Sequence, residues 1–235
     1  VNKDNTVEDM NIWIITIIIM VASLIIQQTL TSKFNKYSKV PTSNGMTGAQ
    51  VAEKMLHEHG IYDVKVTATR GMLTDHYNPA TKTVNLSDAV YSSRSIAAAA
   101  VACNECGHAI QHAEGYAPLQ LRSALVPIVN FSSSIAQIVI IIGLIMMSIS
   151  GSSLLCWLGV GMIAMSAIFS IVTLPVEYNA SDRALEWLES SRTLRIDEME
   201  GAKTSLRWAA RTYLVAALSA IASLLYYITL INRRD

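Results

Sequence analysis

Four apolar runs, each long enough to cross a bilayer, leave this chain few ways to fold. The first covers 11–26 and with its flanks makes a span over 10–30; the others cover 127–148, 154–174 and 212–231. An α-helix needs about 20 apolar residues to cross a hydrocarbon core roughly 30 Å thick. In lipid, a helix lets one segment satisfy its own backbone amides and carbonyls. Composition agrees: 51% of residues are hydrophobic and 15% charged, and the mean hydropathy of +0.35 is high for a soluble domain. The remaining sequence is ordinary polar chain in two blocks, 31–126 and 175–211. The expectation is a mainly α membrane protein of four transmembrane helices with a small α+β part.

The first run reads as a retained span rather than a signal peptide. The residues before it carry Asp4, Glu8 and Asp9 against a single Lys3, and no small-residue cleavage site is obvious. A formal net charge of +0 gives no case for nucleic acid. Cys103, Cys106 and Cys156 do not make a disulfide framework. Four spans place both polar blocks on one side of the membrane. That side holds Lys33, Lys36, Lys39, Arg122, Arg183, Arg207 and Arg211, against Lys3 and the Arg233-Arg234 tail opposite. The bias points both blocks to the cytoplasm, and the chain to the cell (inner or plasma) membrane.

In the first block, Thr47-Gly48-Ala49-Gln50 is a capping-box pattern that opens a helix through Val51, Met55 and Leu56, ended by Gly60. His57 and His59 read as solvated residues of its last turn. From 64 to 86 the pattern alternates as strands do. Met72 to Tyr77 and Thr81 to Leu86 flank Asn78-Pro79-Ala80 as a hairpin, with Met72 to Tyr77 the expected edge strand. Ser87 or Ser92 is the expected start of a long helix, and Gly115 and Pro118 break it. Pro175 is expected to punctuate the third span.

That long helix carries Cys103-Asn104-Glu105-Cys106-Gly107-His108-Ala109-Ile110-Gln111-His112. Residues four apart share a helix face, so Asn104 and His108 point the same way with Glu105 beside them. Zinc metalloproteases use this geometry as H-E-x-x-H, with two imidazoles on the metal and the glutamate taking a proton from metal-bound water. Here the first histidine position holds Asn104. Catalytic zinc usually takes three protein ligands. Glu177, just past the third run on the same side, is the second candidate after His108; a carboxylate at that depth is costly unless paired or metal-bound. Alone it would read as a surface carboxylate at a helix start. His112 could chelate with His108, but reads better as a polar residue near the helix end. Cys103 and Cys106 read as small packing residues inside the helix rather than a thiol site.

The chain resembles the bacterial membrane zinc metallopeptidases, neutral zinc peptidases with several transmembrane helices, related in layout to membrane gluzincins. The likeness rests on Thr74-Asp75-His76-Tyr77-Asn78-Pro79, Asn104-Glu105-Cys106-Gly107-His108-Ala109-Ile110-Gln111 and Leu174-Pro175-Val176-Glu177-Tyr178-Asn179-Ala180-Ser181. It covers nearly the whole chain, the order of spans included. It implies a zincin-like part with a short sheet and an active-site helix, Glu105 as general base and acid, and Zn2+ on His108 and Glu177. It also implies a first ligand at position 104, where histidine is expected. An amide oxygen is a weak zinc ligand beside an imidazole, so little or no activity is expected with Asn104. Either the change was introduced, or the chain is a natural pseudo-enzyme; intact Glu105, His108 and Glu177 favour the first.

In proteases of this layout an extended substrate pairs with the edge strand. Leu73, Asp75, His76 and Tyr77 are therefore the substrate-binding candidates, with His76 or Tyr77 in reach of an oxyanion. The expected activity is a zinc-dependent endopeptidase acting on membrane proteins or peptides at the lipid bilayer. The alternative is a non-catalytic adaptor, or pseudoprotease, that binds client segments along the strand edge. A third reading is a four-helix membrane scaffold with an accidental motif, in which the polar residues of that helix and Glu177 have no reason to converge. Gly143, Gly159 and Gly161 permit close helix packing within or between chains, which leaves a homo-oligomer or a regulatory membrane partner open.

Overall fold

A computed structural model describes the backbone of residues 3–232 and the side chains of residues 14–232. Asp4, Glu8, Asp9 and the Arg233-Arg234 tail fall outside the residues whose side chains are described. In order, the elements are α1 (Lys3–Tyr37), α2 (Gly48–Glu58), β1 (Lys65–Thr69), β2 (His76–Asn78), β3 (Thr83–Ser87), α3 (Asp88–Tyr91), α4 (Ile96–Ala113), α5 (Ala117–Ser150), α6 (Leu154–Ser190) and α7 (Ile196–Asn232). Among the described residues, four helices are long and apolar enough to cross a membrane. These are α1, α5, α6 and α7, as expected. Helices of 34 and 37 residues run about 50–55 Å at 1.5 Å per residue. Each therefore continues beyond its apolar run. Pro175 does not punctuate α6 but lies inside it.

The chain divides into two compact units. One comprises Val1–Ile25, Leu121–Leu174 and Thr212–Asp235. In it Gly143 of α5 lies where an added Cβ would be 2.6 Å from the backbone nitrogen of Cys156 on α6, and Gly159 of α6 lies against Ile140. Gly161 meets nothing nearby. Met147, Cys156, Val160 and Ile231 form a small core. Ile138, Ile141, Ile142 and Ile145 of α5 remain exposed, as lipid-facing residues do.

The other unit comprises Ile26–Gln120 and Pro175–Arg211. Its sheet has the order β1-β3-β2, with β1 parallel and β2 antiparallel to β3. The central strand buries Val84 and Leu86 completely. The turn into β3 is set by Asn78, whose Oδ1 accepts from the Ala80 and Thr81 amides at 2.9 and 3.3 Å. The expected edge strand is shorter than its sequence suggests, because Met72 to Asp75 stay outside β2 and Leu73 has φ 57.

α2 has the expected reciprocal cap: Thr47 accepts from the Gln50 amide, and the Gln50 side chain accepts from the Thr47 amide. The long motif helix starts later than expected. Ser87 heads only the single turn α3, and it is Ser95 whose hydroxyl accepts from the Ala98 amide at 3.2 Å to cap α4. α4 is buried nearly all round. Its Ala97, Ala98, Ala99, Ala100 and Ala102 lose little side-chain entropy there and leave room for α2 and β3 to approach.

Candidate active site

The functional candidates sit on α4, β2 and the second half of α6, all within the second unit. α4 and α6 meet at a glycine. A Cβ on Gly107 would lie 2.6 Å from the Ala180 carbonyl oxygen and 3.1 Å from its Cα. This approach brings His108 and Glu177 together. The imidazole Nε2 is 3.5 Å from Glu177 Oε2, and both side chains are buried. Glu177 is therefore neither exposed nor at a helix start. The other ring nitrogen, Nδ1, is 3.1 Å from Gln111 Oε1. Gln111 is fully buried and donates from Nε2 to the Val176 carbonyl at 2.8 Å and to Asn179 Oδ1 at 2.9 Å. Arg183 Nε also donates to Asn179 Oδ1, at 2.8 Å, and Arg183 pairs with Glu114 at 2.7 Å.

Glu105 lies on the same stretch of α4. Its Oε2 accepts from the Tyr77 amide of β2 at 3.1 Å, and its Oε1 from Asn104 Nδ2 at 3.3 Å. Burial pushes the Glu105 carboxyl above its usual range; the charges of Glu177 and Asp75 add to this, while His108 and Asn104 oppose it. An upward shift is the direction in which burial tunes a carboxyl for proton transfer. For His108, burial favours the neutral ring, but the bond to Glu177, the charges of Glu105 and Glu177, and the bond to Gln111 together raise it above the ordinary imidazole value. The Cys103 and Cys106 thiols are pushed well up by burial, which keeps them protonated as packing groups.

The other candidates spread out. Tyr77 reaches the site through its amide, while its hydroxyl is 2.8 Å from His112 Nδ1. His112 is thus engaged with Tyr77. His76 belongs to the opposite strand face: it is exposed, with Nδ1 2.8 Å from the Thr74 carbonyl and Nε2 near Asn85. The Asp75 carboxylate accepts from the Ser87 amide at 2.7 Å and the Ser87 hydroxyl at 3.1 Å. Leu73 is exposed and outside the strand. The roles of Gln111 and Ser181 were not drawn from the sequence, although both lie on helix faces shared with a candidate: Gln111 three residues after His108, Ser181 four after Glu177.

The family described as "Putative neutral zinc metallopeptidase" matches residues 12–232. The chain belongs to that family. It is also 43% identical, over 210 residues, to a Bacillus subtilis (strain 168) protein named "Putative membrane protease YugP", a match covering 89% of this chain and 92% of that one. No solved structure matches. The chain is thus a membrane member of a zinc-metallopeptidase family. Whether its residues suit zinc depends on the donor set. His108 and Glu177 present an imidazole nitrogen and a carboxylate oxygen to one another, as two zinc donors would. The third position does not fit. The Asn104 Oδ1 accepts from the Ser181 hydroxyl at 2.9 Å while its Nδ2 serves Glu105. Among the described residues, no group of three or more His, Cys, Asp or Glu side chains is placed to hold a metal ion.

Proposed function

We propose that this is a membrane-integrated endopeptidase of the zinc-dependent type, with its site on the cytoplasmic side of the cell membrane. In this reading its substrates are membrane proteins or peptides near the bilayer surface, and Asn104 leaves the metal site one ligand short. The observation that carries the reading is the buried contact of His108 Nε2 with Glu177 Oε2, 3.5 Å apart, beside the carboxyl of Glu105. Two acidic groups and an imidazole are costly to bury together unless they serve a shared positive charge.

Within this reading Glu105 is the proton carrier. Its carboxyl is held against the Tyr77 amide of the edge strand, so a peptide lying along β2 would pass beside it. Such a peptide would add to the outer edge of β2, with the Tyr77 amide there already committed to Glu105. The chain with Asn104 keeps the base and two of the three expected metal ligands, and zinc binding is expected to be weak.

The test is restoration. Asn104→His, purified in detergent, is analysed for bound zinc and for peptide cleavage, beside the same chain carrying Glu105→Gln. Zinc and cleavage, with cleavage lost in the Glu105→Gln form, support the reading; a restored chain that takes up no zinc ends it. The adaptor reading has an observation in its favour too, since the Asn104 amide is already bonded to both Ser181 and Glu105. It is distinguished by a restored chain that gains zinc and binds peptide without cutting it.

A further inference from the structure

We propose that Gln111 is a positioning residue that fixes which nitrogen of His108 faces Glu177. The direction of one buried amide decides this. The Val176 carbonyl can only accept, so the Gln111 group 2.8 Å from it must be the NH2. The same NH2 lies 2.9 Å from Asn179 Oδ1, and Arg183 Nε donates to that oxygen at 2.8 Å, so it too is an acceptor. With its NH2 fixed by two acceptors, the Gln111 amide can present only Oε1 to the ring. His108 Nδ1, 3.1 Å away, must therefore carry a proton and donate. Nε2 is left as the atom turned to Glu177 Oε2 at 3.5 Å.

The imidazole thus lies between an amide oxygen that cannot turn and a carboxylate. A neutral ring with its proton on Nε2 would face Gln111 lone pair to lone pair. A neutral ring with its proton on Nδ1 would face Glu177 the same way, unless a cation sits between them. With Glu177 ionised, the arrangement satisfies both neighbours only when Nε2 meets a proton or a metal cation. Gln111 thereby commits one nitrogen to the protein and reserves the other, much as a hydrogen-bond partner orients an imidazole toward a metal. That this reserved nitrogen serves zinc rests on the functional reading above; that Gln111 fixes the ring does not.

The experiment has two arms. In the full chain with Asn104, ring-15N histidine NMR, with His108 assigned by its loss in His108→Gln, should show a proton on Nδ1. A bare Nδ1 overturns the proposal whatever happens to zinc. In the Asn104→His background, zinc affinity is measured by competition with a chromophoric chelator for Gln111→Leu and Gln111→Glu. Gln111→Leu should lose roughly 10- to 100-fold. Gln111→Glu, which still offers an oxygen to Nδ1 but sets its other oxygen against the Val176 carbonyl and Asn179 Oδ1, should lose less than Gln111→Leu. Equal losses in both variants would make Gln111 a simple tie between α4 and α6, and no loss in either would remove its role; both results overturn the proposal. If the Asn104→His parent binds no zinc, the metal reading fails, and the NMR arm still decides the assignment of Gln111.

Discussion

Gly107 on α4 and Ala180 on α6 touch so closely that a methyl group on residue 107 would lie 2.6 Å from the Ala180 carbonyl oxygen. The obstacle is backbone, which cannot swing aside as a side chain can. Gly107→Ala should therefore push the two helices apart. Overpacking of this kind costs about 1–3 kcal/mol, and the separation should also open the adjacent His108–Glu177 contact. We expect a lower unfolding midpoint in detergent, and in the Asn104→His background a loss of zinc beyond what the stability change accounts for. An unchanged midpoint and zinc content would mean that the close approach of the helices does not depend on this glycine.

The pH dependence of stability follows from His108. Its folded value lies above the ordinary 6.5: burial works against the charged ring, but the contact with Glu177, the charges of Glu105 and Glu177, and the bond to Gln111 outweigh it. The folded chain binds this proton more tightly than the unfolded chain does. Its contribution is fully present below the unfolded value and is lost as pH rises through the folded one. Glu105, raised above 4.5 chiefly by burial, acts with the same sign. Each pH unit between folded and unfolded values is worth about 1.4 kcal/mol. The metal-free chain should therefore lose stability from about pH 4.5 upward through Glu105 and from about pH 6.5 upward through His108, and His108→Gln should flatten the upper part of that slope. Unfolding midpoints measured across the range check both statements.

The spans were legible in the sequence because lipid demands long apolar runs, and the cap on α2 because Thr47 and Gln50 stand three apart. Where α4 begins was less so. Ser87, Ser92 and Ser95 are equivalent in local chemistry, and only the packing of the alanine run decides that Ser95 is the cap. Pro175 misled for a physical reason. It removes one backbone hydrogen bond, but Val176, Ala180, Ala184 and Leu188, four apart on one face, are all fully buried, which favours continuing the helix through it. The spacing of Asn104, Glu105 and His108 predicted their common face. Their partners Gln111 and Ser181 could be seen only as neighbours on a helix, since what they bond to depends on how closely α4 and α6 approach.

Asp75 illustrates how a residue near the site can serve the sheet. Both of its oxygens are taken by Ser87, one by the amide at 2.7 Å and one by the hydroxyl at 3.1 Å. Asp75→Ala leaves the largely buried amide without its acceptor, at a cost of about 1–3 kcal/mol. Asp75→Asn keeps one acceptor and should cost less. Amide hydrogen exchange at Ser87 should quicken in the alanine variant and change little in the asparagine one. Equal protection in both would show that the amide does not depend on this side chain.

Tyr77 makes two contacts that substitution can separate. Its amide holds Glu105 at 3.1 Å, while its hydroxyl meets His112 Nδ1 at 2.8 Å. Tyr77→Phe removes only the hydroxyl. Glu105 then keeps its backbone partner, and zinc uptake by the Asn104→His chain should not change. If the hydroxyl, held in place by His112, stabilises charge developing on a substrate carbonyl, kcat should fall about 10²–10³-fold with KM little altered, as when a single donor is removed from such a site. His112→Ala should lower kcat less, because it leaves the hydroxyl present but unsteadied. A Tyr77→Phe chain that cuts as fast as its parent would confine Tyr77 to its backbone role, holding Glu105 against the strand along which a peptide would lie.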